Sequence, residues 1–272
     1  MKPTLSQVCS LPSSLPTDFE EYSAGQCRSI ELWFTKLETY LQSHSVDDFR
    51  RLRERYEVAT PVASYQGGLL TSQGEQRREA WRLFTNRLEL CQQLEIDTLV
   101  VACDLANPLT QVDLERARTS LVQIAQEAGR YGRRAALEFQ ASAALGNNLQ
   151  TAAALTSEVG SPHLGLCVDA FHYYCGPSKG EDLGYLTRDN LFHVQVCDLA
   201  DVPRELAADG DRILPGDGDI PLAPLLAHLR HIGYDGCVSV ELMNPLLWQV
   251  APRQFGEIAM TSLRKLLGEA SM

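Results

Sequence analysis

Four short segments place an oxygen donor in or at the end of an apolar run: Glu138 in ALEFQ, Asp169 in LCVDAF, Gln195 in HVQVCD and Glu241 in VSVELMNP. Their flanks, among them Leu137, Val168, Val194, Val196 and Val240, are residues that fill a buried sheet. An ionised carboxylate in such surroundings is costly unless it meets a cation or takes a proton. Three acids and an amide converging on one mouth would make a mostly oxygen-lined seat for Mg2+, Mn2+ or a similar divalent ion. Singly, each acid is explained as well by a local arginine or by the amides of a helix start. The four together favour one site.

Two more residues stand close to these in the chain. His172 lies three positions after Asp169, at the start of what reads as a loop, FHYYCGPSKG. A neutral imidazole offers one donor and one acceptor, which suits a substrate hydroxyl or carbonyl, or simply a backbone carbonyl. Arg212 opens RILPGDGDI, a tight turn before a helix beginning near Pro221. Its guanidinium can reach the mouth and grip hydroxyl or carboxylate oxygens, or pair at the surface with Asp209, Asp211 or Asp217. His193 shares a strand face with Gln195 but sits deeper, which gives it a core or supporting role.

The elements that must position these groups alternate along the chain. Apolar runs at 3–9, 28–33, 61–65, 98–103, 135–139, 164–169, 191–197 and 237–242 read as strands. Segments of helical period at 18–26, 34–44 with 46–56, 75–94, 114–131, 149–159, 180–186, 222–232 and 254–267 lie between and after them. Eight such units predict an α/β fold, a single (β/α)8 TIM barrel over residues 1–272, with the strand-end donors at its ligand-binding C-terminal mouth. A doubly wound open sheet usually carries a Gly-rich fingerprint after its first strand, and SLPSSLP is nothing like one. The longest irregular stretch, 198–219, is rich in Asp, Pro and Gly, and loops of that length in compact domains tend to be functional.

Bulk composition narrows the partners. A net charge of -11 argues against a nucleic-acid surface, which needs clustered Lys and Arg. The eight cysteines are scattered and form no CxxC pair, so they read as small buried hydrophobes in a reducing cytoplasm. MKPTLSQVCS has no signal-peptide core, and no run of about 20 apolar residues is available to cross a bilayer. The expectation is a cytoplasmic protein acting on a small molecule, with homo-oligomerisation left open.

The stretches GLCVDAFHYY, DRILPGDGDI and GYDGCVSVEL resemble the xylose-isomerase-like TIM barrels, the sugar phosphate isomerase/epimerase superfamily, and within it the inosose (2-keto-myo-inositol) isomerase branch. The resemblance is strong from residue 135 to about 245 and weaker before that. It implies one divalent metal (Mn2+, Mg2+, Zn2+ or Co2+) held by Glu138, Asp169, Gln195 and Glu241. Gln195 stands where that pattern has a histidine, which leaves the ion's identity open and makes Zn2+ less favoured. It further implies an isomerase or epimerase of a keto-sugar or keto-inositol, with Glu138 and Glu241 as proton carriers and His172 and Arg212 gripping substrate oxygens. A lyase eliminating from a 3-keto compound would share the first step. A non-catalytic sugar-binding subunit is the reading Gln195 makes credible, whereas a DNA-repair endonuclease would need more histidines and a basic face.

Overall fold

The computed structural model describes residues 1–268. Its strands are β1 (Lys2–Ser6), β2 (Ser29–Trp33), β3 (Ala59–Gln66), β4 (Thr98–Cys103), β5 (Arg134–Phe139), β6 (Leu164–Asp169), β7 (Leu191–Val196) and β8 (Cys237–Val240). All neighbours are parallel, and β1 pairs with β8 to close the barrel. Helices α1 (Leu15–Ala24), α2 (Phe34–Leu41), α3 (Val46–Arg55), α4 (Gly74–Gln93), α5 (Gln111–Arg130), α6 (Leu149–Val159), α7 (Ala170–Cys175), α8 (Leu222–His231) and α9 (Pro252–Leu267) complete the (β/α)8 TIM barrel. Among the described residues no helix is long and apolar enough to cross a membrane.

Local sequence explains most boundaries. Strands β4, β6 and β7 are buried at every position, as a strand must be when helices cover one face and the barrel interior the other. Reciprocal capping by Ser45 with Asp48 starts α3, and by Thr110 with Asp113 starts α5. Gly160, in the left-handed region at φ 61°, ends α6 where a side chain would be strained. One apolar cluster fills the space between sheet and helices. A smaller one, Val62, Val100, Ala136, Cys167, Phe192 and Cys237, takes one residue from each of β3 to β8.

Three expectations change. The first strand stops at Ser6, and Gln7–Ser10 turn as a 3-10 helix because Gln7 and Ser10 both bind the carboxylate of Asp18. The segment after Asp169 is not a loop: Asp169 Oδ1 accepts the Phe171 amide at 2.9 Å and caps the short helix α7, so His172 is helical. Residues 180–185 form a 3-10 helix rather than an α-helix. The long segment after β7 is irregular, as expected, yet it is anchored by Asp198, whose carboxylate accepts the amides of Leu199, Gly216 and Ile220.

Candidate active site

Register brings the strand-end residues together. Asp169 is level with Gln195 on the next strand, and Gln195 with Ser239 on the one after. Glu241 lies one residue past β8, but its amide still bonds Val196 O at 3.1 Å and keeps it in line with the strand. Glu138, His172, Gln195, Arg212 and Glu241 line one cavity of about 290 Å3, walled on the other side by Trp33 and Tyr65. Asp169 lies behind it, fully buried. A larger hollow of about 630 Å3 shares Trp33 but has no carboxylate among its lining residues.

Arg212 ties this mouth together. It is only 1% exposed, and its guanidinium stacks 4.3 Å over the ring of Phe171. Nη2 lies 2.8 Å from Asp169 Oδ2 and 2.7 Å from Asp209 Oδ1, and Nη1 donates to Glu241 Oε2 at 3.1 Å. Arg212 thus reaches the mouth acids and also pairs with Asp209, from a buried position rather than at the surface. Asp198 makes this possible by bridging to Ile213 through the backbone, which threads the neighbouring arginine inward.

One guanidinium does not neutralise three carboxylates. Burial, followed by the charge of Asp169, pushes the carboxyl of Glu138 up to about 8. Glu241 is raised well above the carboxylate range, chiefly by burial; Arg212 opposes the rise, and Asp169, Glu31 and Glu138 add to it. Both groups can thus carry a proton near neutrality. Burial lowers His172 and keeps its ring neutral. Its Nδ1 faces the amide of Ala141 at 3.4 Å, and Nε2 lies 3.7 Å from Asp169 Oδ2.

The donors fit a divalent cation in part. Asp169 Oδ2 is buried and, although close to Arg212, makes no hydrogen bond. Ligand atoms of Glu138, Asp169 and His172 all lie within 4.8 Å of one another, and these three residues would hold the ion. Ligation through His172 Nε2 would move the ring proton to Nδ1 and break the contact from Ala141. Gln195 and Glu241, the other two expected donors, are engaged otherwise. Gln195 Nε2 donates to Glu241 Oε1 and to Glu31 Oε1, each at 2.9 Å, while its Oε1 accepts the Cys167 thiol at 3.2 Å. The amide oxygen expected to face an ion faces the wall.

The sequence reading gave His193 a core or supporting role and missed its partner, Glu31. Glu31, from β2, meets His193 Nε2 at 3.0 Å and accepts the hydroxyl of Ser64. Burial opposes its charge, but His193 and the surrounding hydrogen bonds outweigh it and hold Glu31 below the usual carboxylate range. A signal was present, because Glu31 sits between Ile30 and Leu32 in an otherwise apolar run, as Glu138 does. Trp33, Tyr65 and Met243, also in the cavity wall, carry no comparable mark. Trp248 donates its indole N–H to Val8 O at 2.8 Å.

Comparison with known proteins finds relatives of the whole barrel. The inosose isomerase of Halalkalibacterium halodurans is 28% identical over 264 residues, covering 93% of this chain and 92% of the relative. The 3-dehydroshikimate dehydratase of Pseudomonas aeruginosa is 28% identical over 95% of this chain, which spans 40% of that longer protein. Among solved structures, the IolI protein with a bound zinc atom superposes with a TM-score of 0.91 at 24% identity, each chain being covered completely. The model of the xylose isomerase-like TIM barrel family matches residues 22–263. With its closed eight-stranded barrel and strand-end acids, the chain belongs to that family.

Proposed function

We propose that the protein is an isomerase or epimerase of a monocyclic keto-sugar or keto-inositol, taking a proton from the carbon beside the carbonyl and returning one either to the former carbonyl carbon or to the opposite face of the same carbon. The observation that carries this reading is the pair Glu138 and Glu241, two buried carboxyls with raised proton affinity at one small cavity. They rise from β5 and β8, three staves apart in an eight-stave ring, so a substrate ring between them meets the two groups from different directions. In its ionised form one carboxylate takes the proton from the carbon beside the carbonyl. The other, as the acid, returns a proton: to the former carbonyl carbon in isomerisation, while the hydroxyl proton passes to the former carbonyl oxygen, or to the opposite face of the same carbon in epimerisation. Without an ion, Arg212 and the Nε2–H of His172 would bind the oxygens on which negative charge grows; with an ion held through His172 Nε2, that task would fall to Arg212. A bound divalent ion would supply further charge for those oxygens.

A cavity of about 290 Å3 is at the lower limit of ordinary ligand pockets, roughly 300–1,000 Å3, and favours a single small ring. The inosose isomerase relatives support an inositol-type ketone as the first substrate to try. Elimination of water from a 3-keto compound is the second reading, favoured by the 3-dehydroshikimate dehydratase relatives, because it begins with the same proton abstraction. A panel of inososes, ketoses and 3-dehydroshikimate in D2O separates the two. Isomerisation places one deuterium in a product of otherwise unchanged composition, and elimination gives a product short of one water. Failure of every compound to exchange, with and without Mn2+, Mg2+, Zn2+ or Co2+, would leave a binding protein and overturn the proposal.

A further inference from the structure

Below the cavity the barrel carries polar groups that the proton transfer does not use. Glu31 and His193 come from β2 and β7, which are not neighbours, so their 3.0 Å contact spans the interior. Both are completely buried. Barrel interiors are normally packed with branched apolar side chains, and a buried charge is poor evidence for stability. What the pair secures is orientation. Glu31 divides its oxygens, Oε2 to His193 and Oε1 to Gln195 Nε2 and the Ser64 hydroxyl. The second proton of that amide goes to Glu241 Oε1, and the amide oxygen takes the Cys167 thiol. Every polar atom of Gln195 is thereby assigned. Turning the amide over would set its oxygen against two carboxylates and its NH2 against a thiol.

We propose that Glu31 is a positioning residue, which holds Gln195 as an obligate hydrogen-bond donor to Glu241, while His193 holds Glu31. The inference rests on the reading of Glu241 as a proton carrier. Glu241 is then fixed between two donors, Gln195 on Oε1 and Arg212 on Oε2, and reaches its reactive orientation without a rotamer search. The same network gives the glutamine a role that differs from ligation. An imidazole at this position has two nitrogens to divide between Glu31 and an ion, whereas Gln195 spends one nitrogen on both carboxylates.

Glu31→Gln tests this, since the variant amide no longer requires a donor from Gln195. The expected result is a fall in kcat for solvent-deuterium exchange of about 10- to 100-fold, the range for lost orienting partners, with KM changed less than about threefold. A variant that shifts Tm but leaves kcat intact would overturn the proposal. In the Gln195→Ala background, Glu31→Gln should cost nothing further, and multiplicative losses would show that Glu31 acts by another route. A third measurement needs no substrate. The side-chain NH2 signals of Gln195, assigned by their loss in Gln195→Ala, should exchange slowly with solvent in the wild type and quickly in Glu31→Gln. Equal protection in both overturns the positioning role. If no ketone exchanges with the wild type, the functional reading fails while the NMR arm still decides this one.

Discussion

Two sites of buried acids are treated in opposite ways. Asp18, in α1, is completely enclosed and completely partnered: it accepts from Lys36 at 2.7 Å, Gln7 at 2.9 Å, Ser10 at 2.7 Å and Ser13 at 2.6 Å. Burial draws Asp18 up and Lys36 down, and the contact between them opposes both shifts. At the barrel mouth one buried arginine meets Asp169, Asp209 and Glu241, and Glu138 makes no ion pair with it. The hydrogen bond from Gln140 to Glu138 is a long 3.4 Å, and Asp169 Oδ2 has none. A closed network has nothing left to offer a ligand, whereas an incomplete one holds charge that a substrate or cation can satisfy. The first group maintains the fold, and the second is available for chemistry.

The contrast can be broken most directly by substitution at the mouth. Glu138→Gln or Glu241→Gln should lower the deuterium-exchange rate by about 10^2- to 10^4-fold, the usual worth of a positioned acid or base, while the melting temperature holds or rises. A large loss of stability would place these acids with Asp18. In the closed network the pattern reverses. Lys36→Met, which strands Asp18 without its cation, should cost about 3–5 kcal/mol in denaturant unfolding and leave kcat unchanged at temperatures where the variant is folded.

Protons sharpen the comparison further. With its carboxyl raised from 4.5 to about 8, Glu138 is protonated at pH 7 in the ion-free protein. Between pH 4.5 and 8 the folded chain keeps a proton that the unfolded chain loses, so this group lowers stability as pH rises through that window. Binding a divalent cation at pH 7 should release about one proton per ion, and almost none at pH 9. Titration calorimetry in buffers of different ionisation enthalpy reads this number, and zero release at pH 7 would remove Glu138 from the ion's ligands. The smallest effect is expected for Gln195→His. A ring that faces Glu31 with one nitrogen and the ion with the other should tighten Zn2+ binding by about tenfold or more in a competition titration.

Much of this was legible before any coordinates. ALEFQ, LCVDAF and VSVEL carry weight together, although each acid alone has a local explanation, because the eight-strand rhythm places those ends on one rim. Helix α7 was not legible. Six residues rich in aromatics show no helical period, and the start is a cap supplied by Asp169, a residue already read as part of the site. The early end of β1 was hidden for a similar reason, since Gln7 and Ser10 leave the sheet to reach an acid on the following helix.

The residue types and their alternation determined by themselves that this chain would close a parallel barrel and crowd oxygen donors at one end of it, because period and hydrophobicity act between near neighbours in the chain. Only the tertiary structure decided what each donor does. Glu31 and Gln195 are 164 positions apart and meet across the barrel. Hydrogen bonding across that interior turns the Gln195 amide toward Glu31 and Glu241 and leaves Asp169 Oδ2 with an ion pair to Arg212 but no hydrogen bond.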